Sequence, residues 1–260
     1  MAYPNYTSYP GGVEREFELT KFDLEAVVKN LLTRVKNFDG DKASKSNLID
    51  PFAAALESAL NGYESEEEWK ETEHQRTRQK NLMNHIGNLQ QSIIGQLPGW
   101  QSFPSGSGMP DVVGRRGKQL MLCEVKNKHN TMNSNSSAET YDVLAAFLER
   151  PEFKGFVAGV VAIISPIRPE AFFKPFAPAG RKEREDIVYM PGRVFYAIAT
   201  DPHQRIPFRT LKPNENISSW ESWIAIDLML EEFWLEIEKQ TNYKTPGWIK
   251  ELSEQALGAS

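Results

Sequence analysis

The chain has 260 residues, 40% hydrophobic and 25% charged, with a formal net charge of −5. This composition is globular with room for a sizeable core, and the acidic balance argues against a non-specific nucleic-acid coat, which carries a basic excess. No apolar run approaches a membrane span, no basic-then-apolar leader opens the chain, and the one cysteine, Cys123, rules out an intramolecular disulfide framework and fits a reducing cytoplasm.

In chain order, residues 1–12 combine proline, glycine and scattered tyrosines without periodicity and read as a flexible tail. Residues 22–38 place Phe22, Leu24, Val27, Val28, Leu31, Leu32, Val35 and Phe38 at helical spacing. A second helix is predicted from Asp50-Pro51, with Asp50 as N-cap and Pro51 in the first turn, to a stop at Asn61-Gly62. Its apolar face of Phe52, Leu56, Ala59 and Leu60 is expected in the core or in a dimer contact. Ser65 followed by Glu68 forms a capping box. It opens a long helix that ends in a stripe of Leu82, Met83, Ile86, Leu89, Ile93 and Ile94, with Gly95 as the residue after the C-cap. A short strand at 100–103 and a Ser-Gly linker at 105–108 follow.

Residues 109–128 read as a hairpin: a strand carrying Asp111, a Gly114-Arg115-Arg116-Gly117 turn, and a strand carrying Glu124 and Lys126. Alternation puts Leu120, Leu122, Glu124 and Lys126 on one face and Met121, Cys123 and Val125 on the other. Charged residues rarely occupy an apolar strand unless they are paired or bind something. If the hairpin closes, Asp111 approaches Glu124, and two carboxylates meet one lysine. Two hard oxygen ligands suit Mg²⁺. A metal so held stabilises charge on a phosphate, and a neighbouring lysine can orient water, so the trio suits phosphodiester hydrolysis. The bland alternative is an ordinary surface hairpin with an ion pair. Glu68-Trp69-Lys70 shows that the triplet alone is common, since it lies in a charged helical run and needs no function.

Beyond the hairpin, residues 127–137 are rich in Asn and Ser, with Lys128, His129 and Asn130. Such side chains suit phosphate and base-edge hydrogen bonds. A helix is predicted over 138–149, and the apolar run 155–164 reads as a central strand buried on both faces. Residues 165–186 form a long irregular loop, either a DNA-riding element with Arg168, Phe172, Phe173, Phe176, Arg181 and Arg184 or a proline-rich packing loop. Residues 193–200 read as another strand. Arg205 and Arg209 then stand as candidate readers, arginine being the usual partner of guanine. The C-terminal part is helical, with tryptophans expected to be buried. Charge is uneven: residues 168–212 hold nine basic and five acidic residues, and residues 213–260 hold three and nine.

Pro110-Asp111, followed after a 13-residue step by Glu124-Val125-Lys126 on an apolar strand, resembles the PD-(D/E)XK nuclease superfamily. The run from Cys123 to Thr131 is similar to type II restriction endonucleases cutting GGNCC- or GGWCC-like sites. The resemblance spans roughly residues 45–200. It implies an α/β fold with a restriction-endonuclease-like core, a central mixed β-sheet flanked by helices, and extra N- and C-terminal helices. One nuclease domain over 13–260 is expected, with its catalytic core at about 65–200 and a helical part at about 215–260. The implied activity is Mg²⁺-dependent, sequence-specific hydrolysis of double-stranded DNA leaving 5′-phosphate and 3′-hydroxyl ends. Asp111 and Glu124 would hold the metal and Lys126 would serve the water. Many members add an acidic residue from the long first helix; here the nearest positions hold Gln90 and Gln91 as possible auxiliaries. Arg115, Arg116, Lys128, His129, Asn130, Arg168, Arg205 and Arg209 are the candidate DNA contacts. A homodimer in the bacterial cytoplasm, functionally paired with a DNA methyltransferase, is implied, with no membrane partner. Two rivals stay open: a structure-specific repair or junction nuclease, and a non-catalytic DNA-binding protein.

Overall fold

The computed structural model describes residues 24–36, 50–97, 99–116, 119–165, 174–200, 224–249 and 251–252. Two compact units emerge. One is residues 29–89, and the other comprises the residues before 29 and those from 90 onward.

Helix α1 (Leu24–Lys36) starts in one unit and ends in the other. Within residues 29–89 lie α2 (Pro51–Asn61) and most of α3 (Glu66–Ile94). The predicted signals set their ends. The Asp50 carboxylate accepts from Phe52 N at 2.9 Å, and Gly62 takes the left-handed conformation that a side chain disfavours. Ser65 Oγ accepts from Glu68 N at 3.3 Å, while Glu68 reaches back to the N–H of Glu64 at 2.9 Å. Core packing of α2 is not observed: none of its residues is buried, and Phe52, Leu56 and Leu60 are exposed.

The larger unit is built on a six-stranded mixed sheet in the order β1-β2-β3-β4-β6-β5. Its strands are β1 (Trp100–Ser102), β2 (Val112–Arg116), β3 (Gln119–Lys128), β4 (Val157–Ile164), β5 (Lys174–Pro175) and β6 (Ile187–Pro191). β2 and β3 form an antiparallel hairpin, β3, β4 and β6 run parallel, and β1 and β5 close the edges antiparallel. The β3–β4 crossover is α4 (Ser134–Leu148), the short-range solution for joining parallel neighbours. β4 is buried from Val157 to Ile163, as its unbroken apolar run predicts.

One face of the sheet packs on α4. Leu122, Ala158, Val160 and Ile187 meet Tyr141, Leu144 and Phe147 there. Phe153 stacks edge-on against Phe147 and Phe156, with centroids 5.8 and 5.2 Å apart. Across the sheet, α5 (Gly192–Thr200) buries Val194, Phe195, Tyr196 and Ala199. Trp100 stands edge-on to Phe195 at 4.8 Å, and Gly114 on β2 leaves the space its indole fills. Helix α6 (Ile224–Thr241) is tied to the start of α1, where Lys239 Nζ lies 2.9 Å from Glu25.

Four expectations are corrected. Residues 193–200 are helix, not strand. A short run apolar all round does not separate the two by period, and the strand is the adjacent Ile187–Pro191. Gly114, Arg115 and Arg116 continue β2, pairing with Met121, Leu120 and Gln119, rather than turning. Helix α4 begins four residues before the expected 138, because Asn133 caps it by accepting from Ser136 N at 2.9 Å. Gly95 does not adopt a left-handed conformation; it is needed because a Cβ there would collide with Ser102. Among the C-terminal tryptophans, Trp248 is exposed rather than core.

Candidate active site on the second hairpin strand

β2 and β3 bring the three hairpin candidates together. Val112 pairs with Cys123 and Val113 with Leu122. Continuing that register by one residue sets Asp111 opposite Glu124, on the face shared with Leu122. Asp111 precedes β2, and its position is fixed by two hydrogen bonds. Its carbonyl accepts from Phe103 N at 2.9 Å, and its Oδ2 accepts from Val125 N at 2.8 Å. The carboxylate is thus held by the backbone between Glu124 and Lys126. Lys126 Nζ donates to Glu124 Oε2 at 3.3 Å, and the two side chains keep 27% and 18% of their exposure. The trio is half-buried and open on one side.

Burial pushes the Glu124 carboxyl above the usual carboxylate range, and the nearby Asp111 carboxylate pushes it further. Lys126 acts in the opposite direction without cancelling them. Two carboxyls are close enough to hydrogen-bond when one is protonated. An uncompensated negative centre of two hard oxygen donors is what a divalent cation relieves. Among the described residues no group of three or more His, Cys, Asp or Glu side chains gathers. The donor set therefore fits an ion held by one or two carboxylates, which is how Mg²⁺ is usually bound. Cys123 lies on the opposite face, fully buried; burial raises its thiol pKa well above normal, so it is a packing residue.

The remaining candidates are placed as follows. The Gln90 side chain accepts from the Tyr196 hydroxyl at 3.3 Å, which ties it to α5 on the far face of the sheet from Glu124. Gln91 contributes its carbonyl to Gly95 N. Lys128 ends β3, and His129 and Asn130 follow, all three exposed at the same end of the strand as Lys126. His129 N donates to Ile164 O, fixing the start of that loop. Arg115 and Arg116 are described only as backbone of β2. Arg168, Phe172, Phe173, Arg205 and Arg209 lie outside the described residues.

In the irregular segment the packing alternative is what the described part shows. Arg181 makes two 2.6 Å hydrogen bonds to Asp142 of α4, and Arg184 bridges Asp186 and Glu149. The Tyr141 hydroxyl donates to Lys182 O, and Phe176 packs on the α4 core. These arginines clamp the segment to α4.

Two polar features escaped the sequence. Glu124, Val160 and Tyr189 align across β3, β4 and β6, so Tyr189 shares the face of the trio. Its hydroxyl meets Ser165 Oγ at 2.9 Å. Asn127, next to Lys126 in the chain but on the opposite face, buries an Oδ1 with no hydrogen-bond partner. Strand registry across the sheet was needed to see either.

Comparison with known proteins agrees with this geometry. The family model for the Eco47II restriction endonuclease matches residues 18–211. The chain belongs to the Eco47II restriction endonuclease family. It is a sequence-specific deoxyribonuclease of the type II restriction class, and its substrate is DNA. The Type II restriction enzyme Eco47II of Escherichia coli is 32% identical over 188 residues, 68% of this chain and 76% of that protein. The Type II restriction enzyme Sau96I of Staphylococcus aureus is 29% identical over 136 residues, about half of each chain. A divalent metal is implied by the Eco47II family, and the Asp111–Glu124 donor set suits one.

Proposed function

We propose that Asp111, Glu124 and Lys126 form the catalytic centre of this restriction endonuclease and that Mg²⁺ is its metal. The observation that carries the reading is the 2.8 Å bond from Val125 N to Asp111 Oδ2, which pins one carboxylate beside the Glu124–Lys126 pair. Asp111 and Glu124 hold the ion. When bound, it neutralises charge on the scissile phosphate.

Lys126 projects from the same face as Glu124 and positions a water against phosphorus. The water oxygen bonds to phosphorus in line with the departing 3′ oxygen, the P–O3′ bond breaks, and the 3′ oxygen takes up a proton. The ends are a 5′-phosphate and a 3′-hydroxyl. Sheltering by the hairpin and α4 restricts bulk water, so the fixed charges act in a lower dielectric than in solution.

Lys128, His129 and Asn130, exposed beyond Lys126, follow the DNA away from the cut, with Arg115, Arg116, Arg168, Arg205 and Arg209 as further contacts. We infer a palindromic GGNCC- or GGWCC-like target and a homodimer, because a two-fold axis matches a palindrome and cuts both strands. A partner methyltransferase would protect the host's own copies of that site.

Digestion of unmethylated phage DNA with and without EDTA tests this reading. Discrete fragments that require Mg²⁺, with sequenced ends converging on one short palindrome, are expected. A smear, or fragments unaffected by EDTA, would contradict it.

A further inference from the structure

We propose that α2 is a two-fold docking surface for a second copy of this chain. The proposal rests on the homodimer inferred above and specifies where that dimer is joined.

α2 is a complete helix with both ends capped, yet no residue of it is buried. One side faces α3: the Trp69 indole N–H donates to Glu57 Oε2 at 3.2 Å, and Ala54, Ala55 and Ser58 line a cavity of about 330 Å³ with Trp69. The other side carries its three largest apolar residues, Phe52, Leu56 and Leu60, exposed at 84%, 63% and 76%. They recur at i, i+4 and i+8 and form one stripe, with Ala53 and Ala59 beside it by helical geometry. An 11-residue helix is marginal alone and draws its stability from packing an apolar face. Here the small side packs within the chain and the large side is left over.

Charge selects the occupant. Residues 50–69 contain no Lys, Arg or His, so this surface repels DNA and does not belong to the substrate cleft. The stripe carries no charge. Acidic groups gather at one end only, where Glu64, Glu66 and Glu67 are exposed beyond the helix C-terminus. The opposite end carries the positive pole of the helix dipole. In an antiparallel pair about a two-fold axis, each acidic end meets the positive end of its partner helix. The two acidic ends stay apart by the helix length, about 16 Å at 1.5 Å per residue. A second copy supplies both the apolar stripe and the complementary pole, and such a contact is self-complementary and closed.

Area sets the strength. With aromatic side chains burying about 150–250 Å², one Phe and two Leu offer roughly 400 Å² per copy. A standard interface buries about 800 Å² per partner. The α2 pair is therefore the apolar centre of the contact.

The test uses the full chain. Cys123 is the sole cysteine and is buried, so a thiol introduced at Leu56 is the accessible one. Under mild oxidation Leu56→Cys should form a covalent dimer on non-reducing gels, far faster than the exposed control Arg78→Cys. Light scattering should find the wild type dimeric at high concentration and Leu56→Glu monomeric, with an unchanged circular dichroism spectrum. A wild-type dimer that survives Leu56→Glu, with no cross-linking above the control, would overturn the α2 contact and leave the homodimer standing. A wild type monomeric at every concentration, free and on DNA, would overturn both. The nuclease reading is judged separately by the Mg²⁺-dependent digest.

Discussion

The Asp111 carboxylate and the Val125 backbone N–H are joined by a 2.8 Å hydrogen bond across the hairpin. It links the loop before β2 to the segment of β3 that carries Glu124 and Lys126, so one contact both closes the hairpin and composes the site. A hydrogen bond to a charged acceptor contributes about 1.5–3 kcal/mol. Asp111→Asn keeps an oxygen for Val125 N but removes the charge. The expected result is a near-native melting temperature with cleavage reduced by about 10²–10³-fold or more. Asp111→Ala should lose both. Thermal melts beside single-turnover cleavage separate the two effects.

Glu124 gives a pH-dependent prediction. Its folded carboxyl is raised above the unfolded value by burial and by Asp111. The folded state then holds the proton more tightly than the unfolded chain, so this contribution to stability is fully present below the unfolded pKa. It is lost as pH rises through the folded pKa. At neutral pH without metal the ionised pair is a local cost. Glu124→Gln should therefore raise the melting temperature of the EDTA-treated protein while abolishing cleavage. A gain on the order of 1 kcal/mol shifts Tm by about 2–4 °C in a chain of this size. Added Mg²⁺ should stabilise the wild type and leave Glu124→Gln little changed.

Arginines of the irregular segment and residues beyond β3 should differ in salt dependence. Arg181 is engaged by Asp142 through two hydrogen bonds. Lys128 is exposed beside the site. Binding measured across a salt series should show the slope reduced by about 1 in Lys128→Ala, and nearly unchanged in Arg181→Ala. An equal loss in both would place the Arg181 segment on the DNA.

Gly114 predicts a change of stability without a change of chemistry. A Cβ there would lie 2.6 Å from the Trp100 ring, which itself packs edge-on to Phe195. Gly114→Ala should cost about 1–3 kcal/mol, as overpacking typically does. The catalytic trio is on the other face of the sheet, so the cleavage rate per folded molecule should hold. Denaturant titration and active-site-normalised kinetics read the two quantities.

Much of this was legible in the residues because their local chemistry decides one structure. Asp50-Pro51 and Ser65-x-x-Glu68 supply donors' partners at helix starts, and the helices begin there. The alternation Leu122, Glu124, Lys126 against Cys123, Val125 survives in β3 because one register buries the apolar set. Where partners are remote, the sequence was silent. The Val125 N–H shows in no motif. Tyr189 reaches the face of Glu124 only through pairing across two parallel strands. Residues 193–200 are apolar on every side, so only the Ile163 backbone pressing on Gly192 reveals a helix leaving the sheet. The arginines at 181 and 184 looked like phosphate ligands until their acidic partners on α4 and β6's flank were placed.

The most direct test of the catalytic assignment is single-turnover cleavage of a duplex containing the mapped site, comparing wild type with Lys126→Ala at saturating enzyme and Mg²⁺. Lys126 donates to Glu124 from a half-buried position, and its loss should leave DNA binding within a few-fold while cleavage falls by about 10²-fold or more. Cleavage by Lys126→Ala at near the wild-type rate would contradict the assignment.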